Sequence, residues 1–296
     1  MPATEKSLFV LVAELTKWKL SLAVAFSAVT GYVICDGTSG TRPPEVASGT
    51  GLIMVAAGVF LLSSGAAALN QYTEREVDAL MARTSGRPLP SGRMKPLSAL
   101  GIAVLLLVTG SLLLGFSGLL PMLLGLVNVL LYNFMYTGLK KRTALSIIPG
   151  ATVGAVPPLI GYTAAGGVMT DTVILLFSLF MFLWQMPHFW LLLVRYGDEY
   201  EKAGIRTVYG SLSSAQINRL VLFWLTGSSL LLWFLTGIFM PFPLPVASLL
   251  LALNIAFIAA FVRIIRQPDA EFRSRNAFLL INSFSLLIMI ILIAGS

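Results

Sequence analysis

The chain has 296 residues, 57% of them hydrophobic and only 11% charged, with a mean hydropathy of +0.87. A soluble domain carries about 25% charged residues, so this composition excludes a soluble globular protein, a disordered chain and a nucleic-acid-binding module. The net charge of +7 asks for a membrane explanation, and the single cysteine, Cys35, excludes an intrachain disulfide and a Cys-rich metal site.

A membrane helix needs about 20 mostly apolar residues. Nine stretches qualify: 20–35, 51–69, 97–116, 119–136, 146–164, 172–194, 217–239, 244–264 and 277–294. They predict an all-α membrane protein, with residues 1–296 forming one polytopic domain. The first stretch lacks a small-residue cleavage site and is read as mature structure. Pro157-Pro158 and Pro187 fall inside spans and are expected to kink them. Lys and Arg sort cleanly: 19 of 20 fall at the N-terminus or in the loops after spans two, four, six and eight, with Arg42 alone outside. That face is expected to be cytoplasmic, with the N-terminus inside and the C-terminus outside. Ten of the 13 acidic residues share it, against Asp36, Glu45 and Asp171. Mixed charge at one membrane face suggests a site for an anion plus a cation. Glu5 and Glu14, with no Arg before Arg42, are unlike a mitochondrial presequence and favour a bacterial inner membrane.

After span two the sequence reads N-Q-Y-T-E-R-E-V-D. Asn70, Glu74 and Asp78 recur every fourth residue, so a helix places them on one face about 6 Å apart, and Glu76 points elsewhere. Mg²⁺ takes one or two carboxylates and completes its shell with phosphate oxygens and water. The competing reading is a solvated helix end, against which stands the cost of a polar Asn70 closing the small-residue run 63–68. Arg83 and Arg87, again four apart, suit phosphate oxygens. Lys140, Lys141 and Arg142 after span four read equally as a topogenic anchor or a diphosphate clamp, with Lys140 or Arg142 facing the site. At the end of span six, F-L-W-Q-M-P-H-F-W carries His188, the one histidine, among Trp184, Gln185 and Trp190. It is a packing residue, an acceptor contact, a metal ligand or a proton donor. Asp198 and Glu199 beyond it offer a second carboxylate group. Together these residues suggest Mg²⁺ on a diphosphate, made a better leaving group and flanked by cations. The apolar spans would sheath a prenyl tail, with Tyr72, Tyr136 or Trp184 facing the allylic cation.

N-Q-Y-T-E-R-E-V-D and Y-T-G-L-K-K-R-T resemble the UbiA-type intramembrane prenyltransferases. R-T-S-G-R-P-L-P-S-G, G-A-V-P-P-L-I-G-Y and W-Q-M-P-H-F-W resemble the haem O synthase branch of that superfamily, over about the first two-thirds of the chain. The resemblance implies nine helices around a central cavity, and transfer of farnesyl from farnesyl diphosphate to a vinyl group of haem b with addition of water. The product would feed a haem A synthase or a haem–copper oxidase. It implies Asn70, Glu74 and Asp78 as the first acidic motif, with Glu74 where Asp is usual, and Arg83, Arg87, Lys140 and Arg142 as diphosphate ligands. His188, with Trp184 and Gln185, becomes the haem contact. Two departures stand out. Lys202 occupies a position where many relatives carry an acid, which leaves metal binding there to Asp198 and Glu199. A-G-I-R-T-V replaces the usual A-G-I-P-M-L, bringing in Arg206 and Thr207. A UbiA-type enzyme with a quinone-precursor or lipid acceptor, and a transporter, remain the alternatives.

Overall fold

The computed structural model describes residues 7–39, 49–207, 211–240, 242–267 and 270–295, with the side chains of 36–39, 214 and 270–273 left out. Glu5, Arg42 and Glu45, and the side chain of Asp36, used above to sort the loops, lie outside the described residues. The chain is an all-helical, multi-pass membrane protein. Among the described residues nine helices are long and apolar enough to cross a bilayer.

A short helix α1 (Leu8–Thr16) precedes the first span α2 (Trp18–Ser39) and the second, α3 (Gly49–Ala79). After the single turn α4 (Ala82–Ser85) come α5 (Pro96–Ser117) and α6 (Leu119–Leu130). The fourth span continues from α6 through a π-helical stretch (Leu131–Tyr136) into α7 (Thr137–Leu139). Then follow α8 (Ile147–Ala164), α9 (Thr172–Lys202), α10 (Ser214–Phe234, extended by a π turn to Phe239), α11 (Leu244–Ile265) and α12 (Ala270–Gly295). Apolar side chains such as Leu105, Phe116, Phe223 and Leu244 stay exposed, as lipid-facing positions do.

The span count matches the hydropathy reading, but α3 and α9 run well past their apolar stretches. Each continues as a polar helix, and that extension carries the acidic motifs. The prolines differ from expectation. Pro157 and Pro158 sit inside a continuous α8. Proline at 157 deprives the Val153 carbonyl of its helical donor, and the Asn128 amide of α6 supplies one at 3.2 Å. In α9 the backbone is non-helical at Tyr196 (φ −125°, ψ 15°), not at Pro187.

Spans α2 and α8 approach each other closely. A Cβ at Gly31 would overlap the Pro158 carbonyl, and one at Gly161 would overlap the Ala28 carbonyl. Only glycine lets two membrane helices touch backbone to backbone in this way. On the far side, α9 packs Phe177, Phe180 and Trp184 into a core completed by Phe257 of α11 and Phe284 of α12.

Candidate functional site

Helices α2, α3, α6, α8 and α9 enclose a cavity of about 390 Å³, within the size range of small-molecule sites, about 300–1,000 Å³. Its inner part is apolar, walled by residues such as Val24, Leu62, Val129 and Ile160. Its mouth is ionic, with Lys17, Arg83, Arg87, Lys140 and Arg206 facing Glu74 and Asp78.

The i, i+4, i+8 pattern places its residues as expected. Asn70, Glu74 and Asp78 are all buried and all line the cavity. Asn70 is fully engaged: its amide donates to Glu74 Oε2 (2.9 Å) and to Thr137 Oγ1 (3.0 Å), and its Oδ1 accepts from the Tyr132 hydroxyl (3.3 Å). It acts as a strut that orients Glu74. Lys140 Nζ reaches the same Oε2 at 2.5 Å, and Arg87 pairs with Asp78 Oδ2 at 2.6 Å. Glu74 Oε1 is buried without a hydrogen-bond partner. Glu76 points away and meets Arg75 on the exposed side.

The π-helical stretch brings two tyrosines onto this face. Tyr132 and Tyr136 stack 6.0 Å apart, nearly parallel, and both line the cavity. The wider turn is held by Thr137 Oγ1, which donates to the Tyr132 carbonyl five residues back (2.9 Å); π insertions of this kind are frequent at functional sites. Lys140 Nζ lies 5.7 Å from the Tyr136 ring centre. Gln185 and His188 line the apolar part of the cavity, with the His188 ring packed on Phe278 (4.6 Å).

Several expected residues are not brought to the cavity. Trp184 is one residue from Gln185 and therefore about 100° round the helix. Its ring is buried between Phe180, Phe257 and Phe284, away from the lining. Tyr72 points to the opposite side of α3, packing near Leu15 with the Arg75 guanidinium 5.1 Å from its ring. Arg142 is exposed in the turn after Lys140 and lines nothing. The second carboxylate pair is also displaced. Asp198 is exposed, and Glu199 accepts from the Arg83 backbone N–H at 3.1 Å. Glu199 thus steadies α4, while the Arg83 guanidinium sits 5.1 Å from the Tyr196 ring and 5.9 Å from Tyr200. Among the described residues, no three of His, Cys, Asp and Glu come together to hold a metal.

The structure adds residues that the sequence did not single out for the site. Lys17, read only as a topogenic charge, sits between α1 and α2 with left-handed backbone (φ 48°, ψ 46°), a conformation costing a non-glycine residue on the order of 1–2 kcal/mol. Helix α1 is held in place by the Gln71 amide, which donates to the Glu14 and Leu15 carbonyls (2.9 and 2.8 Å), and by the Glu14–Arg93 ion pair at 3.0 Å. The turn directs Lys17 inward, where its ammonium donates to the Tyr132 hydroxyl at 3.4 Å. Burial, then the Arg87 charge, lowers its pKa from 10.5 to about 8, opposed by Asp78 and Glu74. Tyr132 had a signal in the sequence, its place one turn before Tyr136; Lys17 had none, because nothing in L-T-K-W-K favours a left-handed turn at Lys.

The UbiA prenyltransferase family model matches residues 24–284. A protoheme IX farnesyltransferase of Geobacter sulfurreducens is 43% identical over 63% of this chain and 66% of its own length. One of Flavobacterium psychrophilum is 34% identical over 76% and 74%. The matched stretch thus spans about two thirds of the length of the first of these relatives. Among solved structures, a digeranylgeranylglyceryl phosphate synthase superposes with a TM-score of 0.73 at 18% identity, covering 97% of this chain and 98% of its own. A UbiA homologue from Archaeoglobus fulgidus bound to GPP and Mg²⁺ superposes with a TM-score of 0.67 at 14% identity, covering 96% and 97%.

Proposed function

The chain belongs to the UbiA prenyltransferase family, and on that premise we propose that it transfers a farnesyl group from farnesyl diphosphate to a vinyl group of haem b, with addition of water. The observation that carries the reading is the division of one cavity into an ionic mouth and an apolar interior, a shape suited to a diphosphate with a long hydrocarbon tail. The curated relatives' shared name, protoheme IX farnesyltransferase, supports haem as acceptor.

A divalent cation fits the mouth. Glu74 Oε1 is a buried carboxylate oxygen with no partner, and Asp78 lies one helical turn further on. Mg²⁺ commonly uses one or two carboxylates and takes its remaining ligands from substrate phosphate and water. Glu74 and Asp78 would hold it; bound there, it would withdraw charge from the diphosphate and make it a better leaving group. Arg83, Arg87, Lys140 and Lys17 then receive the diphosphate oxygens. The C1–O bond breaks and the diphosphate leaves with the electron pair, its new charge met by these preorganised cations. The faces of Tyr132 and Tyr136 stabilise the allylic cation, and the apolar walls keep water from it. The vinyl π electrons close on C1. The cation left beside the porphyrin takes up water and releases a proton, giving the hydroxyethyl product. His188 and Gln185, further along the wall, face the acceptor. In this reading the chain is one polytopic unit of a bacterial inner membrane, with the ionic mouth on the cytoplasmic side.

The test uses purified protein with haem b, farnesyl diphosphate and Mg²⁺, with and without EDTA, read by mass spectrometry. A Mg²⁺-dependent haem product carrying farnesyl plus water is expected. Diphosphate release with haem unmodified would overturn the acceptor, and prenylation of a quinone precursor in its place would reassign it.

A further inference from the structure

The C-terminal end of α9 folds back over the mouth of the cavity. Gly204, with φ +70°, reverses the chain there. The Gly204 N–H donates to the Glu201 carbonyl (3.0 Å) and the Ile205 N–H to the Tyr200 carbonyl (2.9 Å), the paired bonds of a glycine-terminated helix. The next residue, Arg206, is pinned by its own N–H to the Lys140 carbonyl at 3.0 Å. Its backbone is therefore fixed beside the ionic mouth while its side chain lines the cavity and remains exposed.

Arg206 differs from the other cations there. Lys140 and Arg87 are committed to Glu74 and Asp78, Arg83 lies against Tyr196 and Tyr200, and Lys17 bonds to Tyr132. Arg206 has no carboxylate or aromatic partner among the described residues. The lining as a whole holds five cations and two carboxylates. A diphosphate offsets that surplus, but the divalent cation accompanying it restores positive charge. A neutral acceptor would leave this charge uncompensated in a partly desolvated site, where electrostatic energies are large. An acceptor with its own carboxylates balances it. Haem b has two propionates, set apart from its reactive vinyl groups, and a guanidinium pairs with a carboxylate through two parallel hydrogen bonds.

We propose that Arg206 binds a propionate carboxylate of the acceptor at the cavity mouth and so selects for an acidic porphyrin. This rests on the haem-acceptor reading above. The carboxylate edge stays at the polar end, and the vinyl edge is presented to the allylic carbon.

The experiment compares the full chain in detergent with Arg206→Gln and Arg206→Lys, using haem b and its dimethyl ester as acceptors. The wild type should favour the free acid. Arg206→Gln should raise the KM for haem b at least about tenfold, the usual scale for a charged hydrogen bond. It should leave the KM for farnesyl diphosphate unchanged and abolish discrimination against the ester. Arg206→Lys should recover part of the loss, which separates lost charge from lost folding. A rise in the farnesyl diphosphate KM instead would make Arg206 a donor ligand and overturn the proposal, as would unchanged discrimination. Titration of haem b and the ester by absorbance, without donor, decides the Arg206 contact independently. If neither acceptor is prenylated, the functional reading fails; equal affinity of both proteins for both porphyrins would overturn the contact itself.

Discussion

Helices α3 and α9 invite comparison, because each is 31 residues long and each carries carboxylates on a polar extension beyond its membrane span. On α3 the acids are four apart on unbroken helix, and both are buried in the cavity wall. On α9 they are neighbours in sequence, so they diverge by about 100°, and the backbone breaks at Tyr196 just before them. The result is one polar extension that builds the ionic mouth and one that supports it, with Glu199 holding the backbone of α4 and Asp198 left to solvent. Acidic residues gathered at a helix end therefore need not converge, whereas acidic residues four apart on continuous helix share one face.

The sharpest break of this comparison is the pair Asp78→Asn and Asp198→Asn. Loss of the α3 carboxylate should lower kcat/KM by about 10²–10³-fold, the scale for removing one preorganised electrostatic contact. The α9 variant should stay within about twofold, as surface changes usually do. Steady-state rates of both, with thermal unfolding in detergent as a folding control, decide it; equal losses would restore the second acidic cluster to the site. Next in size is Lys140→Met, which removes a cation and leaves Glu74 Oε2 with the Asn70 amide as its remaining partner. A drop of about 10²-fold is expected, appearing in kcat more than in the haem KM.

Lys17 gives a pH signature. Its pKa of about 8 in the folded protein lies below the usual 10.5, so its charged form is disfavoured by folding. That cost is fully present below about pH 8 and is relieved as pH rises towards 10.5. Wild type should therefore gain thermal stability relative to Lys17→Met across that window. The kcat/KM for farnesyl diphosphate should decline above about pH 8 as the ammonium is lost, and Lys17→Met should lack that inflection. A pH profile identical in both proteins would remove Lys17 from the diphosphate site. A smaller effect than these, though larger than that of Asp198→Asn, belongs to Glu199→Ala. It loses one hydrogen bond to the Arg83 backbone, so a several-fold fall in activity is expected, carried by a higher KM for the diphosphate.

Hydropathy and the Lys/Arg distribution were enough to read the spans, because the membrane demands length and apolarity of every one. The α3 face was legible for a similar reason: a fourfold spacing has one geometric meaning on a helix. Trp184, Tyr72 and Arg142 were misread because a motif names residue types without saying which side of the helix each occupies. Trp184 and Gln185 are adjacent letters with unrelated surroundings. The Tyr132–Tyr136 stack depends on a local π turn, and the inward position of Lys17 depends on left-handed backbone that α1 imposes through Gln71.

The glycine crossing of α2 and α8 bears on how the protein is made. Cys35 and Ala165, which meet near that crossing, are 130 residues apart. At about 5–20 residues per second, synthesis of the intervening chain takes on the order of ten seconds. Through that interval α2 can pack on α3 but lacks its α8 neighbour, while α3 and α5 are free to pair as soon as both have been inserted. The α2–α8 contact is thus a late event in biogenesis, and the cavity closes only after the fifth and sixth spans, α8 and α9, have left the translocation machinery.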